Sequence, residues 1–435
     1  MNIRANSAQD IQDQIRSRIQ TGQLQPGDYL PSVRELAEQI GVNRNTVAAA
    51  YKSLVAMGLV VSKGRLGTQV KSYSPSRSHE GFQSLDKDHV DLAHGNPKRE
   101  LLPSLAHIDL SSFQSALYGD SIYHNKLLKY ARKKIFSDIP QPFAVDFCHG
   151  AVDAIERILT AYLVPSDSIA VEQPGFITSI CAIENQQFKM QSFTVSSEGI
   201  DLKSLQQALL ANVQAILITP RAQNPTGYSL SIAQAQQIKH LLSDYPNVLV
   251  LVDDHFSLLS AQPYQHIIPA STKHWAVIRS VSKYLSPDLR FAFVCCDAET
   301  SERLHRKLNA GSTWVSHILQ EIVYRLINHP QFAKNIQVAQ TYYQAQHQQL
   351  LQYLQQAKIP CAAQYDGLNI WLALPHAEKI AKVLLQRGWM VRAGQDFKVD
   401  QEVAGLRIST ADMTEAQMQQ FCQQLQQIYE VMVHL

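Results

Sequence analysis

Apolar positions along this chain follow two rhythms, and the change from one to the other divides it. In the first seventy residues the apolar spacing is helical. Ile11, Ile15 and Ile19 stand four apart, which predicts an amphipathic helix over 7–20 with Ser7 as its cap and Gly22 beyond its end. Ser32 then precedes Val33, Leu36, Ala37 and Ile40, the apolar face of a second helix that Gly41 breaks. A third helix starts around Asn43 and turns Val47, Tyr51 and Leu54 inward. Two short helices joined by a glycine-containing turn form a helix-turn-helix. Two short β-patterned runs, 60–62 and 68–70, flank Lys63-Gly64-Arg65-Leu66-Gly67 and predict a hairpin with a basic tip.

The next stretch, SYSPSRSHEGFQSLD, is serine-rich and has no apolar period, so 72–87 reads as a flexible linker between a domain at 1–71 and another at 88–435. Beyond it, continuous apolar runs at 168–172, 215–219, 248–253, 275–280 and 291–296 alternate with helical stretches. Strands that are apolar on both faces belong in a mostly parallel sheet between two helix layers. The fold class is therefore α/β behind a winged helix-turn-helix. A long, glutamine-rich helical region covers 312–357, and strands at 367–375 and 389–392 predict a smaller C-terminal α/β subdomain.

Composition narrows the picture. The chain has 435 residues, 45% of them apolar, enough for more than one core, and no apolar run long enough for a membrane span is expected. The opening MNIRANSAQDIQ has no apolar signal region, and the six cysteines (148, 181, 295, 296, 361, 422) lack CxxC spacing. A cytoplasmic protein with reduced thiols and no structural metal is expected. The net charge of +2 is uneven: residues 1–71 hold nine Lys/Arg against five Asp/Glu, whereas the remainder holds 30 against 32. A basic head on a slightly acidic body fits contact with nucleic acid at one end only.

That head carries the side chains such contact needs. Asn43, Arg44, Asn45 and Thr46 occupy the first turn of the second helix of the motif, the part of a recognition helix that reaches base edges in double-stranded DNA. Ser32 and Arg34 sit where a phosphate would be held, and Lys63, Gly64 and Arg65 form the tip of the wing. A small helical bundle with solvated charges is the plain alternative. However, PGDYLPSVRELAEQIGVNRNTVAAAYKSLVAMGLVVSKGRLGTQV resembles the GntR-type winged-helix domain along its whole length.

In the body, the marked residues fall at predicted strand ends, where ligands of such sheets bind. Asp253 ends VLVLVD; a carboxylate there can hold a pyridine ring protonated, although strand-end aspartates are also ordinary helix caps. Lys283, in Ser280-Val281-Ser282-Lys283, can form a Schiff base when its amine is deprotonated. Gly150, Ala151 and Val152 start a helix whose free N–H groups suit a phosphate, and Ser280 and Arg290 add a hydroxyl and a planar cation. Phe176 can stack on a ring.

This ordered set resembles the aminotransferase class I/II fold, fold-type I of the pyridoxal-phosphate enzymes, over about 88–435. Gln223-Asn224-Pro225-Thr226-Gly227 matches that family's NPTG motif, and Gly405-Leu406-Arg407-Ile408-Ser409 its arginine motif. Tyr118-Gly119-Asp120 matches its YGD segment. The resemblance implies that Asn224 contacts the ring oxygen, Arg407 holds a carboxylate of the effector, and Tyr118 reaches the phosphate of a second copy in a homodimer. Together with the head, the chain is most similar to the MocR subgroup, regulators that bind pyridoxal 5'-phosphate and answer to an amine, an amino acid or a B6 vitamer. It departs from the family at His255, where a tyrosine usually donates to the ring oxygen, and at Tyr123 and Leu127-Leu128, where a glycine and then LR are usual. These departures bear on transamination more than on cofactor binding. A working aminotransferase with an appended DNA-binding domain, and a cofactor-free dimerisation scaffold, are the rival readings.

Overall fold

The computed structural model describes residues 5–71, 89–106 and 108–433. They form two compact units, residues 1–77 and 78–435. The linker expected at 72–87 lies outside the described residues.

In the first unit, helices α1 (Ala8–Gln20), α2 (Val33–Ile40) and α3 (Arg44–Ala56) precede strands β1 (Val60–Ser62) and β2 (Thr68–Val70). Ser7 and Ser32 each accept from the N–H three residues on, while Asp10 and Glu35 reach back to the cap backbone. Both are capping boxes, which satisfy N–H groups that a helix leaves open. Gly41 ends α2 in the left-handed conformation, the turn of the helix-turn-helix. Ile11, Ile15, Leu36, Val47, Tyr51 and Leu54 meet in one core, as their spacing requires. β1 and β2 pair antiparallel, and Tyr29 bridges to Gln69.

The second unit is built on an eight-stranded sheet: β3 (Ala144–Cys148), β4 (Ser168–Gln173), β5 (Lys189–Ser196), β6 (Gly199–Ile200), β7 (Ala215–Ile218), β8 (Leu249–Asp253), β9 (Trp275–Ser280) and β10 (Ala292–Cys296). Their spatial order is β3-β10-β9-β8-β7-β4-β5-β6. β9, β8, β7, β4 and β5 run parallel, whereas β10 is antiparallel to both of its neighbours. Alternate residues feed two cores: Ile216 and Ile218 enter one, Ala215 and Leu217 the other. This two-sided burial produces the unbroken apolar runs.

A smaller layer follows. Strands Asn369–Leu372, Leu406–Ser409 and Arg392–Ala393 pair antiparallel beside helices Ala377–Gln386 and Glu415–Val433. Trp389–Met390 pairs in parallel with Val90–Asp91. That pairing draws the chain that follows Asp91 to the mouth of the site. The helical region read at 312–357 is two helices, His317–Ile327 and Phe332–Gln356. The break at Pro330 separates them, since a proline cannot continue the ladder of the first.

Candidate functional site

β3, β4, β8 and β9 end on one edge of the sheet, and the side chains marked in the sequence cluster there. Asp253, the last residue of β8, is buried, and its Oδ1 has no hydrogen-bond partner. Burial pushes its carboxyl up to about 7; the neighbouring Asp254 charge adds to this and Lys283 opposes it. A buried acceptor without a donor fits a ligand N–H such as that of a protonated pyridine. Phe176 and Asp253 line the same small hollow. His255 Nδ1 lies 3.9 Å from Asp253 Oδ1, beyond hydrogen-bonding distance. Lys283 Nζ donates to the carbonyl of Gly95, at 2.6 Å, on the segment that Val90–Asp91 anchors.

Gly150 precedes helix Ala151–Tyr162 with φ +102°, and a Cβ there would lie 2.8 Å from Arg290 Nη2. Only glycine lets the guanidinium lie against the helix start. The unbonded N–H groups of the first turn, including Ala151 and Val152, share this end with a planar cation, a cradle for phosphate. Ser280 Oγ ends β9 and bonds Ser282 Oγ at 3.0 Å, bringing in a second hydroxyl that the sequence reading did not single out. Asn224 Oδ1 accepts from Arg407 Nη1 at 2.9 Å; Arg407, fully buried, also donates to the Ala93 carbonyl and lies 5.1 Å from the Phe397 ring centre. Tyr118 stands apart, 93% exposed, with its ring edge on Trp314.

Behind these residues is a network that the sequence reading missed. Asp254, with no exposed surface, accepts from Arg221 Nε (2.9 Å) and Nη2 (2.5 Å) and from Arg279 Nε (2.7 Å). Arg279 also grips Asp138 with both terminal nitrogens, at 2.9 and 2.8 Å, and Tyr264 lies under both guanidinium groups. Each member neighbours a site residue: Asp254 follows Asp253, Arg279 precedes Ser280, and Arg221 lies three before Asn224. Glu172 ends up nearby, buried and pushed up to about 7, accepting from Thr219 N and Gln223 Nε2. A readable clue was Arg279, a charge inside an otherwise apolar run.

In the head, Arg44 begins α3, and Asn43 is its cap, its Oδ1 accepting from Asn45 N at 2.8 Å. The Asn43 carbonyl is thus engaged by the helix, which leaves base-reading to Arg44, Asn45 and Thr46. Ser32 Oγ is likewise taken by its capping box. Arg34 and Arg44 converge on Glu38, at 2.9 and 3.6 Å, and all three are exposed. Glu38 is a second residue that sequence reasoning passed over. Gly64 has φ +59° in the wing turn between Lys63 and Arg65.

Comparison with known proteins agrees with both halves. Residues 87–425 match the family described as aminotransferase class I and II, and residues 7–70 match bacterial regulatory proteins of the gntR family. The chain is 42% identical over 418 residues, 96% of its length and 97% of the relative's, to the vitamin B6 salvage pathway transcriptional repressor PtsJ of Salmonella typhimurium. It is 26% identical over 407 residues, 84% of this chain and 86% of the relative, to the uncharacterized HTH-type transcriptional regulator YdcR of Escherichia coli. Among solved structures, a kynurenine aminotransferase of Pyrococcus horikoshii superposes with TM-score 0.70 at 18% identity, over 80% of this chain and 92% of that one, a likeness of fold. Among the described residues no helix is long and apolar enough to cross a membrane. The chain belongs to the aminotransferase class I and II family, in the branch that joins this fold to a GntR-type DNA-binding domain and regulates transcription.

Proposed function

We propose that this chain is a cytoplasmic, homodimeric repressor of vitamin B6 salvage that holds pyridoxal 5'-phosphate at the sheet edge and changes its grip on operator DNA accordingly. The carrying observation is the 42% identity to a B6 salvage repressor, which spans reader and body together. The orphaned Asp253 Oδ1 and the Gly150–Arg290 cradle support the choice of cofactor.

Each residue takes a distinct part. Asp253 accepts the ring N–H, and Phe176 stacks on the ring. Asn224 and His255 donate toward the ring oxygen. Gly150, Ala151 and Val152 offer N–H groups to the phosphate, with Ser280 and Arg290 closing around it. Lys283 supplies the amine for covalent attachment. Arg407, oriented by Asn224, holds the carboxylate of any amino-acid effector. The bound group would supply an aldehyde for that amine and a ring able to accept electrons. Exposed Tyr118 fits contact with the phosphate of a second copy, which pairs two heads and favours operators with two half-sites. Ser32, Arg34, Asn43, Arg44, Asn45, Thr46, Lys63, Gly64 and Arg65 form the DNA face, with Ser32 and Asn43 acting through their caps.

The purified protein takes up pyridoxal phosphate with a visible absorption band, and borohydride fixes the cofactor on Lys283, read by peptide mass. A Lys283→Ala variant that still gives a reducible adduct would overturn the assignment. One observation favours a working aminotransferase instead, the Asn224–Arg407 pair suited to substrate carboxylates. Multiple turnovers with an amino acid and an oxo acid would establish that alternative.

A further inference from the structure

A cavity of about 560 Å³ adjoins the cofactor residues without including them. Its walls come from the stretch around Leu101 and Ile108, from Lys283 and Tyr284, and from helices His317–Ile327 and Phe332–Gln356. Asp253, Asn224, Ser280, Arg290 and Arg407 do not line it. Its volume lies in the range of small-molecule sites, and its wall is mostly apolar, with Leu259, Phe332 and Ile336 contributing.

One polar group in this wall has no structural explanation. Tyr284 is 4% exposed, and its hydroxyl is buried with no hydrogen-bond partner. Burial drives its acidity far down, so the phenol keeps its proton and offers it. Buried hydroxyls in folded proteins nearly always have a partner, so an orphan facing an open volume marks a place for a ligand acceptor. The charged groups of the same wall are matched to one another: Glu321 accepts from Arg325 Nε at 2.5 Å and pairs with His124 Nε2 at 2.9 Å. The wall therefore favours an uncharged guest.

We propose that this cavity is a second ligand site, which takes a neutral, planar heteroaromatic molecule whose ring nitrogen or oxygen accepts from Tyr284 Oη. Resting on the proposed B6 function, that molecule is an unphosphorylated vitamer: the phosphate cradle belongs to the Lys283 site, and this cavity has none. Because Tyr284 follows Lys283 directly, the two sites share a backbone segment. The protein thereby reads a salvage precursor and the finished cofactor separately.

Pyridoxine is the suitable probe, since it has no aldehyde and cannot couple to a lysine. Full-length protein is loaded with pyridoxal phosphate, reduced with borohydride to block the Lys283 site, and titrated with pyridoxine by calorimetry. We expect one pyridoxine per chain, bound at least tenfold more weakly by Tyr284→Phe and equally well by Asp253→Ala. Tyr284→Phe deletes only an unpartnered hydroxyl, so its circular dichroism matches wild type. Three results overturn the proposal: no binding to the blocked protein, equal binding by Tyr284→Phe, or binding that vanishes once the Lys283 site is filled. Failure to load the cofactor counts against the B6 reading instead, and the comparison of the two variants still decides the second site.

Discussion

Replacing Asp254 with asparagine keeps its volume and removes one charge from the network behind the site. Asp254 has no exposed surface and accepts three N–H groups from Arg221 and Arg279. Breaking a buried ion pair from one side costs about 3–5 kcal/mol, because the remaining charge stays buried. Here the cost falls toward the lower figure. Arg279 keeps Asp138 and the Ile135 carbonyl, Arg221 keeps the Gln262 carbonyl at 3.1 Å, and the asparagine oxygen still accepts one bond. A loss of about 3 kcal/mol leaves a protein of ordinary stability folded at 25 °C. Urea denaturation should show a lower midpoint at an unchanged slope. Asp253 and Ser280 flank the network in sequence, so cofactor retention should also weaken by at least tenfold. The outer partner serves as control: Asp138 has a 39% exposed side chain, and Asp138→Asn should cost under about 1 kcal/mol. If Asp254→Asn costs no more than that control and retains cofactor normally, the network does not position the site.

Further expectations concern the head and the buried carboxyls. Arg44→Ala should lose about 1–3 kcal/mol of operator affinity and relax specificity at one base, whereas Lys63→Ala should weaken all sequences alike and flatten the salt slope by about one unit. Binding titrations on operator and random DNA separate the two, and equal loss of specificity from both refutes the division. Asp253 is raised to about 7, so the folded cofactor-free protein favours its protonated form. Its contribution is full below about pH 4, where the unfolded carboxyl is also protonated, and is lost as pH rises toward 7. Melting curves of cofactor-free wild type should therefore fall relative to Asp253→Asn between pH 5 and 7; parallel curves would contradict the burial argument.

Local chemistry decided how much of this was legible. Ser7 and Ser32 announced their helices because a capping hydroxyl and an acidic residue three positions on form a self-contained unit. The strands of the large sheet were visible because burial on both faces leaves no polar alternation. Their ends shifted by a residue at Leu249 and Ala292, and the antiparallel course of β10 left no trace, since its side chains are buried like those of its parallel neighbours. The pair Val90–Asp91 was invisible for a different reason: a two-residue strand is defined by a partner some 300 residues away. Asp253, Lys283, Gly150 and Arg290 stood out because their chemistry is tied to strand and helix ends. Asp254, Glu38 and Tyr284 matter through what they touch or fail to touch, which spacing does not encode.

The central claim is that cofactor and DNA are energetically coupled through one protein. The most direct test measures pyridoxal phosphate affinity with and without a two-half-site operator, and operator affinity with and without pyridoxal phosphate, at one salt concentration. Linkage requires the same factor in both directions, of about 5–150 for ordinary allosteric coupling. Equal factors in that range are the predicted result. Affinities that do not respond to the other ligand, on an operator bound specifically, would show a DNA-binding domain and a cofactor fold joined without communication, and would contradict the account.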